Sequence, residues 1–134
     1  MNLSIELENI EISVQFKSWL DYLDGGAFSS KILTKNLLVS GYCEDLAVYL
    51  YYKYGAEVWW FDRSKGSDGH FFVKKDGKFY DALNPIGVNN ISDLEFSKTK
   101  VKNIDVDNQS RKLDPKSKDW WSVYPEAWNK INIL

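Results

Sequence analysis

Cys43 is the only cysteine and His70 the only histidine of the 134-residue chain, and twenty-seven positions separate them. Asp81 stands eleven positions further on. A thiol, an imidazole and a carboxylate are the parts of a nucleophilic triad. The thiolate attacks a carbonyl carbon, and the imidazole takes and returns the proton. The carboxylate fixes the imidazole's tautomer and stabilises the imidazolium once it forms. Such a triad works only if the fold brings the three groups together.

The stretch SGYCEDLAVYLYYKYG, residues 40–55, is the clearest helix in the chain. Ser40 reads as its N-cap, Glu44 and Asp45 fall in the first turn, and Gly55 marks the C-terminal stop. Leu46, Ala47, Leu50 and Tyr54 share one face, whose burial would fix the amino end in space. A thiol on the first turn gains from the partial positive charge of unpaired N–H groups, and a neighbouring imidazolium adds to this. The same helix end offers backbone N–H groups to an oxyanion, the Cys43 amide first.

His70 and Asp81 lie in HFFVKKDGKFYDAL, where Asp76-Gly77 between alternating apolar residues is a strong hairpin signal. A two-residue turn there sets Lys75 opposite Lys78, Val73 opposite Tyr80, Phe72 opposite Asp81 and His70 opposite Leu83. Opposed residues point to one side of a sheet and successive residues alternate, so His70, Phe72, Asp81 and Leu83 should share a face. Phe71, Val73, Tyr80 and Ala82 should take the other. Asp81 then lies diagonally across from His70, roughly 5.5–7 Å between Cβ atoms, within reach of an imidazole–carboxylate hydrogen bond.

With those residues in place, GYCEDLAVYLYYKYG…GHFFVKKDGKFYDA resembles the core of the papain-like cysteine hydrolases, in the broad sense that includes transglutaminase-like and NlpC/P60-type enzymes. The resemblance covers residues 41–82. It implies an α+β fold with helices packed on an antiparallel sheet around a papain-like catalytic core. It also implies Cys43 as nucleophile, His70 as general base and Asp81 as orienting residue. Papain-type enzymes add an oxyanion-donating Gln ahead of the Cys. Gln15 is the only Gln upstream here, and Asn36 or the Tyr42 hydroxyl are the other groups that could serve. The chemistry implied is attack on an amide-type carbonyl, with water as acceptor in a peptidase, amidase or deamidase and an amine in a transglutaminase. Trp59 or Trp60, Phe72 and Trp120-Trp121 could line a substrate groove, or simply pack the sheet and core.

Elsewhere the chain is less explicit. Ile12, Phe16, Trp19, Leu20 and Leu23 form a helical stripe over 9–23, ended by Gly25-Gly26. Residues 27–41 read as a loop or short turn. AEVWWFDR reads as a strand, followed by the polar loop SKGSDG. From about 87 to 119 the chain is polar and irregular, with a short helix at ISDLEF, and an aromatic tail closes it. No repeat or linker divides the sequence, so 1–134 reads as a single papain-like domain.

Composition narrows the function further. A formal charge of −2 gives no electrostatic reason for a nucleic-acid partner. Lys98, Lys100, Lys102, Arg111 and Lys112 alternate with Asp105, Asp107 and Asp114 and read as a solvated face. One cysteine cannot form an intramolecular disulfide, and Glu6, Glu8 and Glu11 stand where a secretion signal would carry basic residues. The expectation is a cytoplasmic protein with no cofactor and no membrane partner, acting on a protein or peptide substrate. Specialised delivery into another cell would leave no mark in the sequence. Two other readings remain open: a catalytically inactive papain-like binding or inhibitor protein, and a metal site built from His70, Asp81 and Asp68.

Overall fold

Asp76 and Gly77 both take positive φ, 52° and 81°, the left-handed values that a two-residue type I′ hairpin needs. Lys75 accordingly pairs with Lys78 and Val73 with Tyr80. Over these pairs the observed register is the one expected from the turn. It extends into a sheet in the computed structural model, which describes residues 2–25, 32–61, 69–99, 105–116 and 122–132.

Four helices come first: α1 (Leu3–Glu8), α2 (Val14–Leu23), α3 (Lys35–Ser40) and α4 (Cys43–Tyr54). Strands β1 (Glu57–Phe61), β2 (His70–Lys75), β3 (Lys78–Asp81) and β4 (Asn84–Val88) follow. Helix α5 (Glu95–Thr99), strand β5 (Ser110–Leu113) and helix α6 (Val123–Asn132) complete the described elements, with 3-10 turns at Ile10–Ile12 and Ile91–Asp93. The strands form one antiparallel sheet in the order β4-β3-β2-β1-β5. The architecture is α+β. Among the described residues no helix is long and apolar enough to cross a membrane.

Alternation along the strands divides the apolar residues between two cores. Val58, Val73 and Ala82 join the larger core with Leu46, Ala47, Val48, Tyr49 and Leu50 of α4 and the buried residues of α1, α2 and α6. Phe61, Phe72 and Phe79 join the smaller core with Ile91, Leu94, Phe96 and Val106. Both faces of the sheet are therefore covered, and β2 lies between β1 and β3 with α4 against it. Gly69 leads into β2 because the Trp60 indole lies across it: an added Cβ would sit 1.9 Å from that ring.

Several elements differ from expectation. The first stripe is interrupted. Ser13 accepts a hydrogen bond from the Phe16 N–H at 3.2 Å and starts α2 at Val14, leaving Ile12 71% exposed and outside the buried face. A separate helix, α1, precedes it. Residues 35–40 form a helix rather than a loop, capped by the Thr34 hydroxyl, which accepts from the Leu37 N–H at 3.3 Å. That helix takes Ser40 for its own last residue. The N–H groups of Gly41 and Tyr42 both return to the Leu37 carbonyl at 2.9 Å, so Tyr42 and not Ser40 is the N-cap of α4.

In the region expected to be irregular, β5 pairs onto one edge of the sheet, while β4, which ends at Val88 just inside that region, forms the other edge. ISDLEF divides into the 3-10 turn and the start of α5, and the aromatic tail contains α6. Gly26, Asp62, Arg63, the loop residues 64–68, Lys100, Lys102 and Trp120-Trp121 lie outside the described residues.

Candidate active site

Cys43 is the first residue of α4 and His70 the first residue of β2. Gly55, in the left-handed conformation at φ 72°, ends α4 as expected, and the Leu46–Leu50 segment is buried. The helix is thus held along its length while its amino end stays accessible, with Cys43 only partly buried. Tyr42 contributes no side-chain cap. The first N–H groups of α4 remain directed at whatever lies beyond the helix end.

His70 is buried, with 4% of the residue exposed. Its Nε2 lies 2.9 Å from Oδ2 of Asp81, itself 4% exposed. The other carboxylate oxygen, Oδ1, accepts from the Leu83 backbone N–H at 3.0 Å. Asp81 is therefore oriented by the turn that follows it and in turn orients the ring. With Nε2 taken, Nδ1 is the nitrogen left for the thiol. Burial alone would lower the pKa of His70. Hydrogen bonding and Coulombic attraction to Asp81 and to Cys43 outweigh it, and the imidazole is pushed up to about 9. Such a shift favours the imidazolium form of the ring.

The expected sharing of a face holds for His70, Phe72 and Asp81, all buried. It fails for Leu83, which is not paired with His70. Strand β3 ends at Asp81, and Ala82-Leu83 form the turn into β4, where Asp81 pairs with Asn84.

The proposed oxyanion side chains fare differently. Gln15 is not at the site: its Oε1 accepts from Lys53 Nζ at 2.5 Å, ten residues beyond Cys43 and about 15 Å along the helix. The Tyr42 hydroxyl donates to Asp24 Oδ2 at 3.0 Å. Asn36 is exposed on α3. Of the groups considered, the backbone at the start of α4 is best placed to hold an oxyanion.

Phe72 packs within the smaller core, with Trp59 stacked on it at 6.4 Å and Trp60 against Phe71 at 4.4 Å. Phe72 is thus buried in the core, while Trp59 and Trp60, only partly buried, pack on Phe72 and Phe71. Asp68, the third ligand of the metal reading, lies outside the described residues.

Three contributors escaped the sequence reading. Phe96 of α5 lies against His70 with ring centroids 4.5 Å apart, closing the imidazole off from water. Trp19 donates its indole N–H to the Asp45 carbonyl at 2.9 Å, holding the first turn of α4. Tyr124 of α6 reaches the carboxylates of Glu44 and Asp45 at 3.1 and 2.7 Å. Their links to the site cross 26 to 80 positions of chain, beyond any local pattern. The Leu83 N–H was closer to legible, since an Asp accepting from the N–H two residues on is a common turn motif. No protein-family model, no curated protein and no solved structure matches the chain.

Proposed function

We propose that this protein is a cysteine hydrolase or acyltransferase with a papain-like core, attacking an amide-type carbonyl of a protein or peptide. The observation that carries the reading is the buried His70, bonded through Nε2 to Asp81 and acted on by Cys43. In this scheme the Cys43 thiolate adds to the carbonyl carbon and the oxyanion turns to the N–H groups at the start of α4. As the tetrahedral intermediate collapses, the imidazolium of His70 gives its proton to the departing amine, leaving a thioester. Water or an acceptor amine, deprotonated by His70, attacks the thioester and expels the Cys43 thiolate. Asp81 stays ionised throughout and holds the ring.

The remoteness of Gln15 and the engagement of the Tyr42 hydroxyl favour the second reading, a papain-like binding or inhibitor protein without turnover. Alkylation of Cys43 by iodoacetamide, followed by intact mass against pH, separates the two. An assembled pair alkylates already near about pH 6 and loses this in His70→Ala. A thiol titrating at about 8.5 in both proteins overturns the enzyme reading.

A further inference from the structure

Glu44 and Asp45 immediately follow the nucleophile, at the second and third positions of α4. Carboxylates there ordinarily fold back over a helix end and accept its free N–H groups. At this helix end that would place negative charge where a thiolate and an oxyanion need positive potential. Both are instead engaged by one phenol. Tyr124 lies 2.7 Å from Asp45 Oδ1 and 3.1 Å from Glu44 Oε2, and it is 5% exposed. Its ring stacks on Trp19 at 5.5 Å, and Trp19 holds the Asp45 carbonyl from the same side. Successive helical residues point about 100° apart, so these two side chains diverge from that of Cys43.

We propose that Tyr124 is a positioning residue for Cys43: its hydroxyl draws the Glu44 and Asp45 carboxylates toward α6, leaving the amino end of α4 open to the thiolate and the oxyanion. This rests on Cys43 being the nucleophile. Among the described residues, the charged and titratable groups around this helix end include His70 from β2, Asp81 from β3, Asp24 from the end of α2, Glu44 and Asp45 from α4 itself, and the phenols of Tyr42 and Tyr124. Burial, together with repulsion from Asp24, raises the pKa of Asp45 against the lowering effect of Tyr124.

The test is the pH profile of Cys43 alkylation in Tyr124→Phe, which keeps the stacked ring and removes only the hydroxyl. The half-reaction pH should rise by about one unit, making alkylation near pH 6 about tenfold slower. Tyr124→Phe/Asp45→Asn should return toward the wild-type profile. Tyr22→Phe removes a comparable phenol–carboxylate bond, to Glu126 at 2.6 Å, away from α4, and should change nothing.

An unchanged profile in Tyr124→Phe, with a wild-type thiol that is poised and depends on His70, overturns the role of Tyr124 and leaves the nucleophile reading intact. A wild-type thiol of ordinary pKa, indifferent to His70→Ala, overturns both. If Tyr124→Phe does not unfold cooperatively, Glu44→Gln and Asp45→Asn decide in the native background. Their profiles should match wild type, because Tyr124 already holds those charges aside, and a fall of about one unit overturns the proposal.

Discussion

Asp81 and His70 face each other across 2.9 Å with only 4% and 5% of their side chains exposed. A carboxylate so placed does more for an imidazolium than one in water, because little solvent screens the pair. Asp81→Asn keeps the size of the side chain and an acceptor for the Leu83 N–H but removes the charge. Cys43 alkylation near pH 6 should slow by about tenfold or more, since each unit lost from the imidazole's pKa is a tenfold change. Asp81→Ala also leaves a buried imidazole without its partner and should cost about 3–5 kcal/mol in denaturant unfolding. Unchanged alkylation in Asp81→Asn would remove the carboxylate from the site.

The single histidine makes the next expectation easy to read, because one imidazole resonance reports the whole titration. Its midpoint in the wild type should lie near 9. In Asp81→Asn it should fall, and burial with a weaker partner should carry it toward or below the ordinary 6.5. The linkage to stability follows in sign. A group whose pKa is raised on folding stabilises the native state below its unfolded value and loses that contribution as pH rises through the folded one. In Cys43→Ser, where no thiol proton enters the balance, unfolding free energy should decline from pH 6.5 upward to that variant's own midpoint. A flat profile there, or a wild-type midpoint at or below 6.5, would contradict the imidazolium.

What could be read in the sequence and what could not divides along the range of the interactions. The hairpin was legible because Asp-Gly fixes the turn, the turn fixes the register, and the register puts Asp81 beside His70. Helix α4 was legible from its apolar residues and Gly55, yet its burial runs round the helix through Val48 and Tyr49 rather than along one face, and its cap was misassigned because α3 claims Ser40. Strand β5 could not be read from its residues: Arg111 and Lys112 are exposed, and the strand exists through pairing with β1. Helix α6 lies beyond Pro115 and a polar stretch, and its docking depends on Trp19 and Tyr49, more than seventy positions away. Phe96 and Tyr124 reach the site only by such long-range contacts.

Glu6 is where the sequence was most misleading, because an acid near the amino end served only to argue against a secretion signal. It is 2% exposed and ties α1 to the far end of α4. Its carboxylate accepts from the hydroxyls of Tyr49 and Tyr54, pairs with Lys53 Nζ at 2.7 Å and takes the Ser13 hydroxyl at 3.3 Å. Burial works to raise its pKa, but the hydrogen bonds from Lys53, Tyr49 and Tyr54 prevail and hold it below the ordinary 4.5. A carboxyl lowered on folding stabilises the protein above its unfolded pKa and loses that contribution as pH falls through the folded one. Stability should therefore decline on acidification below about 4.5, and Glu6→Gln, which cannot ionise, should flatten that limb. Glu6→Ala leaves Lys53 and two phenols without their acceptor and should cost about 3–5 kcal/mol at pH 7. Denaturant unfolding of the three proteins between about pH 3 and 7 tests this. An acid limb of the same steepness in Glu6→Gln would place the sensitivity elsewhere, and a loss below about 1 kcal/mol in Glu6→Ala would mean that water replaces the carboxylate at little cost.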